Sequence, residues 1–236
     1  MAGSSKPWLQ GPASGIARFT GGPAFLMRQH PIPPVTEPMQ YRAIGLVEGT
    51  YVPTEADTLT RGHLRSADGV EIEAVLLGRV LSLVKRHLSL EQPHLWVVYP
   101  RSRDEEKLHL QVVGIWEPST LATEEPDLVD SLPEGDGYFS VRGELIFTRP
   151  ETNDVVVKIR QQPRADGSRP QPFKLQLKGS IPLEHLRHFV ALDLRRSGQQ
   201  LELEHFEVIG ALPQRSDRRG GGGGGKRPQR RPAAAK

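Results

Sequence analysis

Apolar and polar residues alternate along two stretches of this 236-residue chain, and both stretches predict the same order of elements. In the first, residues 41–52 read as a long strand. Val70, Ile72 and Ala74 alternate with Glu71 and Glu73, which predicts a strand buried on one face. The Ser66-Ala67-Asp68-Gly69 segment before it predicts a hairpin turn, because Asp68-Gly69 tolerates the positive φ of a tight turn. Gly78 opens a helix with Val80, Leu81, Val84 and Leu88 on one side and Arg79, Lys85 and Arg86 on the other. Residues 95–99 and 108–116 are further strands, separated by a turn at 100–106 that holds Pro100 and a charge cluster. The order is three strands, a helix and two strands.

The second stretch predicts strands at 138–147 and 155–161, then a loop holding Arg164-Ala165-Asp166-Gly167. Phe173, Leu175 and Leu177 alternate with Lys174, Gln176 and Lys178. A short helical turn at 183–188 precedes a hairpin, 189–194 and 201–209, across Ser197-Gly198. Gly69 lies 24 residues after Gly45, and Gly167 lies 24 after Gly143. An Ala-Asp-Gly turn ends both intervals, and Leu108-His109-Leu110-Gln111 mirrors Leu201-Glu202-Leu203-Glu204. Three matches in register predict a duplicated unit.

Composition separates these units from what surrounds them. Residues 1–38 are rich in Gly, Pro, Ser and Ala, with Trp8, Phe19 and Phe25 scattered among them, and read as a disordered leader. The expected order is then a first unit at 39–118, an acidic linker at 119–137, a second unit at 138–212 and a disordered basic tail at 213–236. The net charge of +3 divides into +3 for residues 1–36, −7 for 37–212 and +7 for the tail. The linker alone carries −6, so charge must be read segment by segment. The absence of cysteine excludes disulfides and a thiol nucleophile. No run of apolar residues is long enough to span a membrane, and the N-terminus has no secretory pattern. A cytoplasmic protein is the expectation.

Five strands with a helix between the third and fourth resemble the OB-fold, a small Greek-key barrel. The expected fold class is therefore mainly β: two tandem five-stranded OB-like barrels between disordered termini. Tyr41-Arg42-Ala43-Ile44-Gly45-Leu46-Val47 and Trp96-Val97-Val98-Tyr99-Pro100 also resemble a poorly characterised family of cyanobacterial proteins. That second resemblance implies no reaction. The OB resemblance implies binding of nucleic acid, oligosaccharide or protein, although fold alone does not fix function.

Cations mark the candidate site. Alternation places Lys158, Arg160, Lys174 and Lys178 opposite Val157, Ile159, Leu175 and Leu177, and the connecting loop adds Arg164 and Arg169. Such a strip can follow a phosphate chain and release its counterions. It lacks an alternating aromatic to stack on bases, which tempers the prediction. The matching strand of the first unit offers Glu71 and Glu73, which predicts a face that repels phosphate. Trp96, Tyr99 and Trp116 read as core rather than as a binding platform. In the tail, Arg218, Arg219, Lys226, Arg227, Arg230 and Arg231 surround six glycines and suit a polyanion without sequence preference. His185, His188 and His205 lack the spacing of a metal site, and no nucleophile or phosphate-loop motif is present. The expected function is non-enzymatic binding of single-stranded RNA or another polyanion, without cofactor or metal. The alternative is a protein adaptor or assembly factor, with the first barrel on a protein partner and the tail on an acidic one.

Overall fold

A computed structural model describes residues 30–55, 57–103, 107–121 and 130–212. Its ten strands form one continuous sheet that closes twice. The first half contains β1 (Arg42–Glu55), β2 (Thr58–Ser66), β3 (Glu71–Leu76), helix α1 (Arg79–His87), β4 (His94–Arg103) and β5 (Lys107–Trp116). These strands lie in the order β1-β2-β3-β5-β4-β1, with β3 and β5 parallel. A short helix, α2 (Pro118–Leu121), follows. The second half repeats the order with β6 (Tyr138–Arg149), β7 (Asp154–Ile159), β8 (Phe173–Lys178), β9 (His188–Ser197) and β10 (Gln200–Ala211). Each half is a closed five-stranded barrel of the OB type.

The two barrels differ in how firmly they close. In the first, the parallel ladder runs from Glu73 opposite His109 to Leu76 opposite Val112. In the second it consists of Glu202 opposite Lys178. Helix α1 packs Val80 and Val84 into the first core, and Lys85, Arg86 and His87 suit the negative end of its dipole. The second barrel has the three-residue 3-10 turn Leu183–His185 in that place, and β9 begins at His188, inside the predicted helical turn.

The first strands join the barrels. Arg42, Ala43, Ile44 and Gly45 pair antiparallel with Arg142, Val141, Ser140 and Phe139. Ala43 to Val47 is an unbroken apolar run because β1 is buried on both faces. Ala43 and Val47 share one core with Phe139 and Val141, while Ile44 and Leu46 pack with Ile32, Val97 and Trp116. A Cβ on Gly45 would run into the Phe139 ring, so the close approach requires glycine. Gly143 instead lies against the backbone of Lys158, as Gly49 lies against that of Arg65. The Gly45–Gly143 match thus joins residues in different environments. The turn glycines do correspond, at φ 77 and 79.

The seam also orders segments expected to be loose. Residues 30–38, assigned to the leader by composition, lie across it. Ile32 is buried, Arg42 Nη1 donates to the Pro33 carbonyl at 2.7 Å, and Arg142 Nη2 donates to that of Pro38 at 2.6 Å. Proline-rich backbone leaves its carbonyls free for such donors. The described acidic residues of 130–137 are acceptors as well. Asp130 receives the Ser119 N–H and hydroxyl at 3.0 and 2.6 Å, and Asp136 receives the Glu48 N–H at 2.6 Å. Pro100 lies within β4, opposite Leu110, and not in a turn. Pairing of β4 with β1 ends at Val98, so Pro100 has a ladder neighbour only on the β5 side.

Candidate nucleic-acid interface

Three strands of the second barrel build one outer face. Lys158 stands opposite Lys174. The next row is Phe147, Val156 and Gln176, and the next is Arg149, Asp154 and Lys178. Leu175, Leu177, Val157 and Ile159 are buried beneath. Lys174 is exposed. Lys158 and Arg160 both approach Glu144, at 3.2 and 3.6 Å, and Lys178 Nζ lies 2.8 Å from Asp154. The hydrogen bond from Lys178 holds the Asp154 carboxyl below its ordinary value. Arg164 and Arg169 are exposed in the β7–β8 loop, closed by the Gly167 N–H donating to the Arg164 carbonyl at 2.9 Å. The tail cations Arg218, Arg219, Lys226, Arg227, Arg230 and Arg231 lie outside the described residues, as do Trp8, Phe19 and Phe25.

Aromatic rings lie close to cations on and beside this face. Arg149 lies 5.4 Å from the Phe147 ring centroid, Arg160 lies 5.7 Å from that of Tyr41, and Arg101 of the first barrel stacks 3.8 Å over Phe173. Phe147 is 38 % exposed. Alternation within β7 and β8 does not reveal it, because the ring stands on β6, where Phe147-Thr148-Arg149 carries the signal. Trp96 and Trp116 are core, whereas Tyr99 is 39 % exposed. The Trp96 indole donates to the Gly49 carbonyl at 2.7 Å.

A groove of about 490 Å³ opens where β8 and β10 part. Its walls include Phe147, Arg149, Gln176 and Lys178 of the second barrel, and Ser102 and Lys107 of the first. Ser102 Oγ accepts the Gln176 N–H at 2.8 Å, taking up a β8 edge donor that β10 leaves free. Ser102 also lines a cleft of about 330 Å³ on the first barrel, with Arg61, Glu73, Arg101, Arg103 and His109.

On this face of the first barrel, the glutamates expected to repel phosphate are paired with cations. Glu71 is paired with Arg65 at 2.7 Å, and Glu73 is paired with Arg103 and lies 3.6 Å from His109. Hydrogen bonds from Arg65 and Arg103 hold the two carboxyls below the ordinary glutamate value. Arg61 and Arg101 add further positive charge. Burial depresses the pKa of His109, which favours its neutral form. Among the described residues this face carries more cations than acids, because neighbouring strands supply arginine that β3 alone does not reveal.

Of the three histidines considered for a metal, His205 is exposed and the other two pack together. His185 and His188 meet edge to face at 5.9 Å, with Phe206 6.0 Å from His185. Among the described residues, no group of three or more His, Asp or Glu side chains could hold a metal ion. No helix among them is long and apolar enough to cross a membrane.

Residues 43–123 match the family model described as PatR RNA-binding protein, N-terminal OB-fold domain. Residues 141–210 match the one described as cyanobacterial OB-fold-like RNA-binding domain, C-terminal. Two OB-fold family models thus match in tandem, consistent with a cyanobacterial RNA-binding family. The two matches fall on the two barrels, and both describe RNA-binding domains, so nucleic-acid binding is the general class of function. None of the curated proteins matches the chain.

Proposed function

We propose that this tandem OB-fold protein binds single-stranded RNA without catalysis, in the cytoplasm, over the outer face of the second barrel. Its domain limits are taken as 39–118 and 138–212. The observation that carries the reading is the adjacency of Lys158 and Lys174, with Lys178 further along the same face and Phe147 exposed beside them. Cations there follow the phosphates, and an exposed ring offers a stacking surface for bases. Arg160, Arg164 and Arg169 extend the charge, and the tail cations add attraction without sequence preference. Anisotropy of a labelled single-stranded RNA, titrated with a chain ending at Leu212, tests the reading. Lys158→Glu with Lys174→Glu should weaken binding and flatten its salt dependence by about 0.7 for each phosphate no longer neutralised. Equal binding by the variant and the parent would remove this face from the interface.

A further inference from the structure

We propose that the groove between the barrels is a nucleobase pocket, in which one unstacked base of the bound strand lies against Phe147 and is read by the amides of Gln176 and Gln200. The inference rests on the RNA-binding reading and adds to it a site that discriminates between bases. The groove exists because the second barrel closes through a single parallel pair, which leaves β8 and β10 apart. Its volume of about 490 Å³ is within the range of roughly 300–1,000 Å³ usual for ligand pockets.

The lining suits a base. Phe147 supplies a flat apolar surface, and Arg149 already lies over that ring, where a second planar group can stack. The side-chain amides of Gln176 and Gln200 line the groove and have no hydrogen-bond partner among the described residues. Gln199 differs, since its amide donates to the Glu71 carbonyl. A free amide offers both a donor and an acceptor, the pattern that a base edge requires. Ser102 Oγ accepts from the Gln176 N–H and keeps its own proton to donate.

A nucleobase in this groove can come from a free nucleotide or from a strand. The surroundings favour the strand. Lys158 and Lys174 stand one row beyond Val156 and Gln176, and Ser102 leads to the arginine-lined cleft of the first barrel. A phosphate chain can enter on one side and leave on the other.

The test uses the full chain and labelled rA, rC, rG and rU homopolymers of equal length. The protein should rank the four. Phe147→Ala should weaken the preferred one by about five- to 150-fold, the worth of one base–aromatic stack, and Phe147→Trp should retain it. Gln176→Ala with Gln200→Ala should compress the ranking and leave the salt slope unchanged. Far-ultraviolet circular dichroism checks that each variant is folded. Should the folded Phe147 and Gln variants match the parent while Lys158→Glu with Lys174→Glu loses binding, the pocket falls and the RNA reading stands. Should the parent bind none of the homopolymers, both fall. Displacement of the strand by a nucleoside monophosphate that binds as tightly alone would overturn the assignment to RNA.

Discussion

On β3 of the first barrel the outward residues are Glu71 and Glu73, and on β8 of the second they are Lys174, Gln176 and Lys178. The structure reduces this contrast from both sides. Arg65 and Arg103 are paired with the two glutamates, while Glu144 and Asp154 are paired with Lys158, Arg160 and Lys178. The charge of a strand is therefore not the charge of its face, because cross-strand neighbours supply the other half. Exposed pairs of this kind contribute little stability. Their effect lies in what each face presents to a polyanion.

The barrels differ more in self-sufficiency. The first has a parallel ladder of several pairs and a helix, while the second has one such pair and a three-residue turn. Their cores are continuous through Phe139, which is fully buried. The largest effect should come from breaking that continuity. Phe139→Ala should cost about 3–5 kcal/mol, the usual loss for a buried phenylalanine. Tryptophan fluorescence, to which the buried Trp96 and Trp116 of the first barrel contribute, should fall together with circular dichroism in denaturant. Two separate transitions would show that the barrels fold independently. If instead the barrels share one core, cleavage within the linker 119–137 should leave two fragments that stay associated.

A second test compares the faces by freeing cations on each. Glu144→Gln releases Lys158 and Arg160 on the second barrel, and Glu73→Gln releases Arg103 on the first. Each should tighten RNA binding and steepen the salt slope by about 0.7 for every phosphate newly neutralised. Tighter binding from Glu144→Gln alone would confine the strand to the second barrel. If the tail adds attraction without sequence preference, as proposed, loss of residues 213–236 should weaken every variant alike.

The element order was legible because alternation marks a strand with one wet face, as in Glu71-Ile72-Glu73-Ala74. The continuous run Ala43 to Val47 carried no such signal about its second covered face, since periodicity cannot show what packs there. Residues 30–38 resembled a leader because Pro33 and Pro38 act through backbone carbonyls, which composition does not reveal. At the site, alternation placed Lys158 and Lys174 on one face. It could not supply Glu144, Phe147 or Ser102, which arrive from a neighbouring strand or the other barrel through the register of the sheet.

The smallest expected effect separates the two Ala-Asp-Gly turns. Asp68 accepts from the Ser66 hydroxyl, the Val70 N–H and Arg196 of the second barrel, the last at 3.1 Å. The Ser66 hydrogen bond is the main cause that lowers its carboxyl to about 2 from an ordinary 3.8. Asp166 accepts from the Ser168 N–H, which lies in its own loop. A carboxyl lowered by folding adds stability that is complete above its unfolded value and is lost as pH falls through its folded value. Asp68 should therefore contribute fully above 3.8 and lose its contribution as pH falls toward about 2. Its carboxyl is largely exposed, so the contribution should stay below about 1 kcal/mol. The Arg196 side chain is 5 % exposed, however, and its other nearby acid, Asp136, lies 4.0 Å away. Asp68→Asn should accordingly lower the melting temperature at neutral pH and flatten its acid dependence. Asp166→Asn, which leaves the contacts between the barrels untouched, should change the melting temperature less. Equal shifts would mean that the Arg196 contact adds nothing to the seam and that each turn stabilises its own hairpin alone.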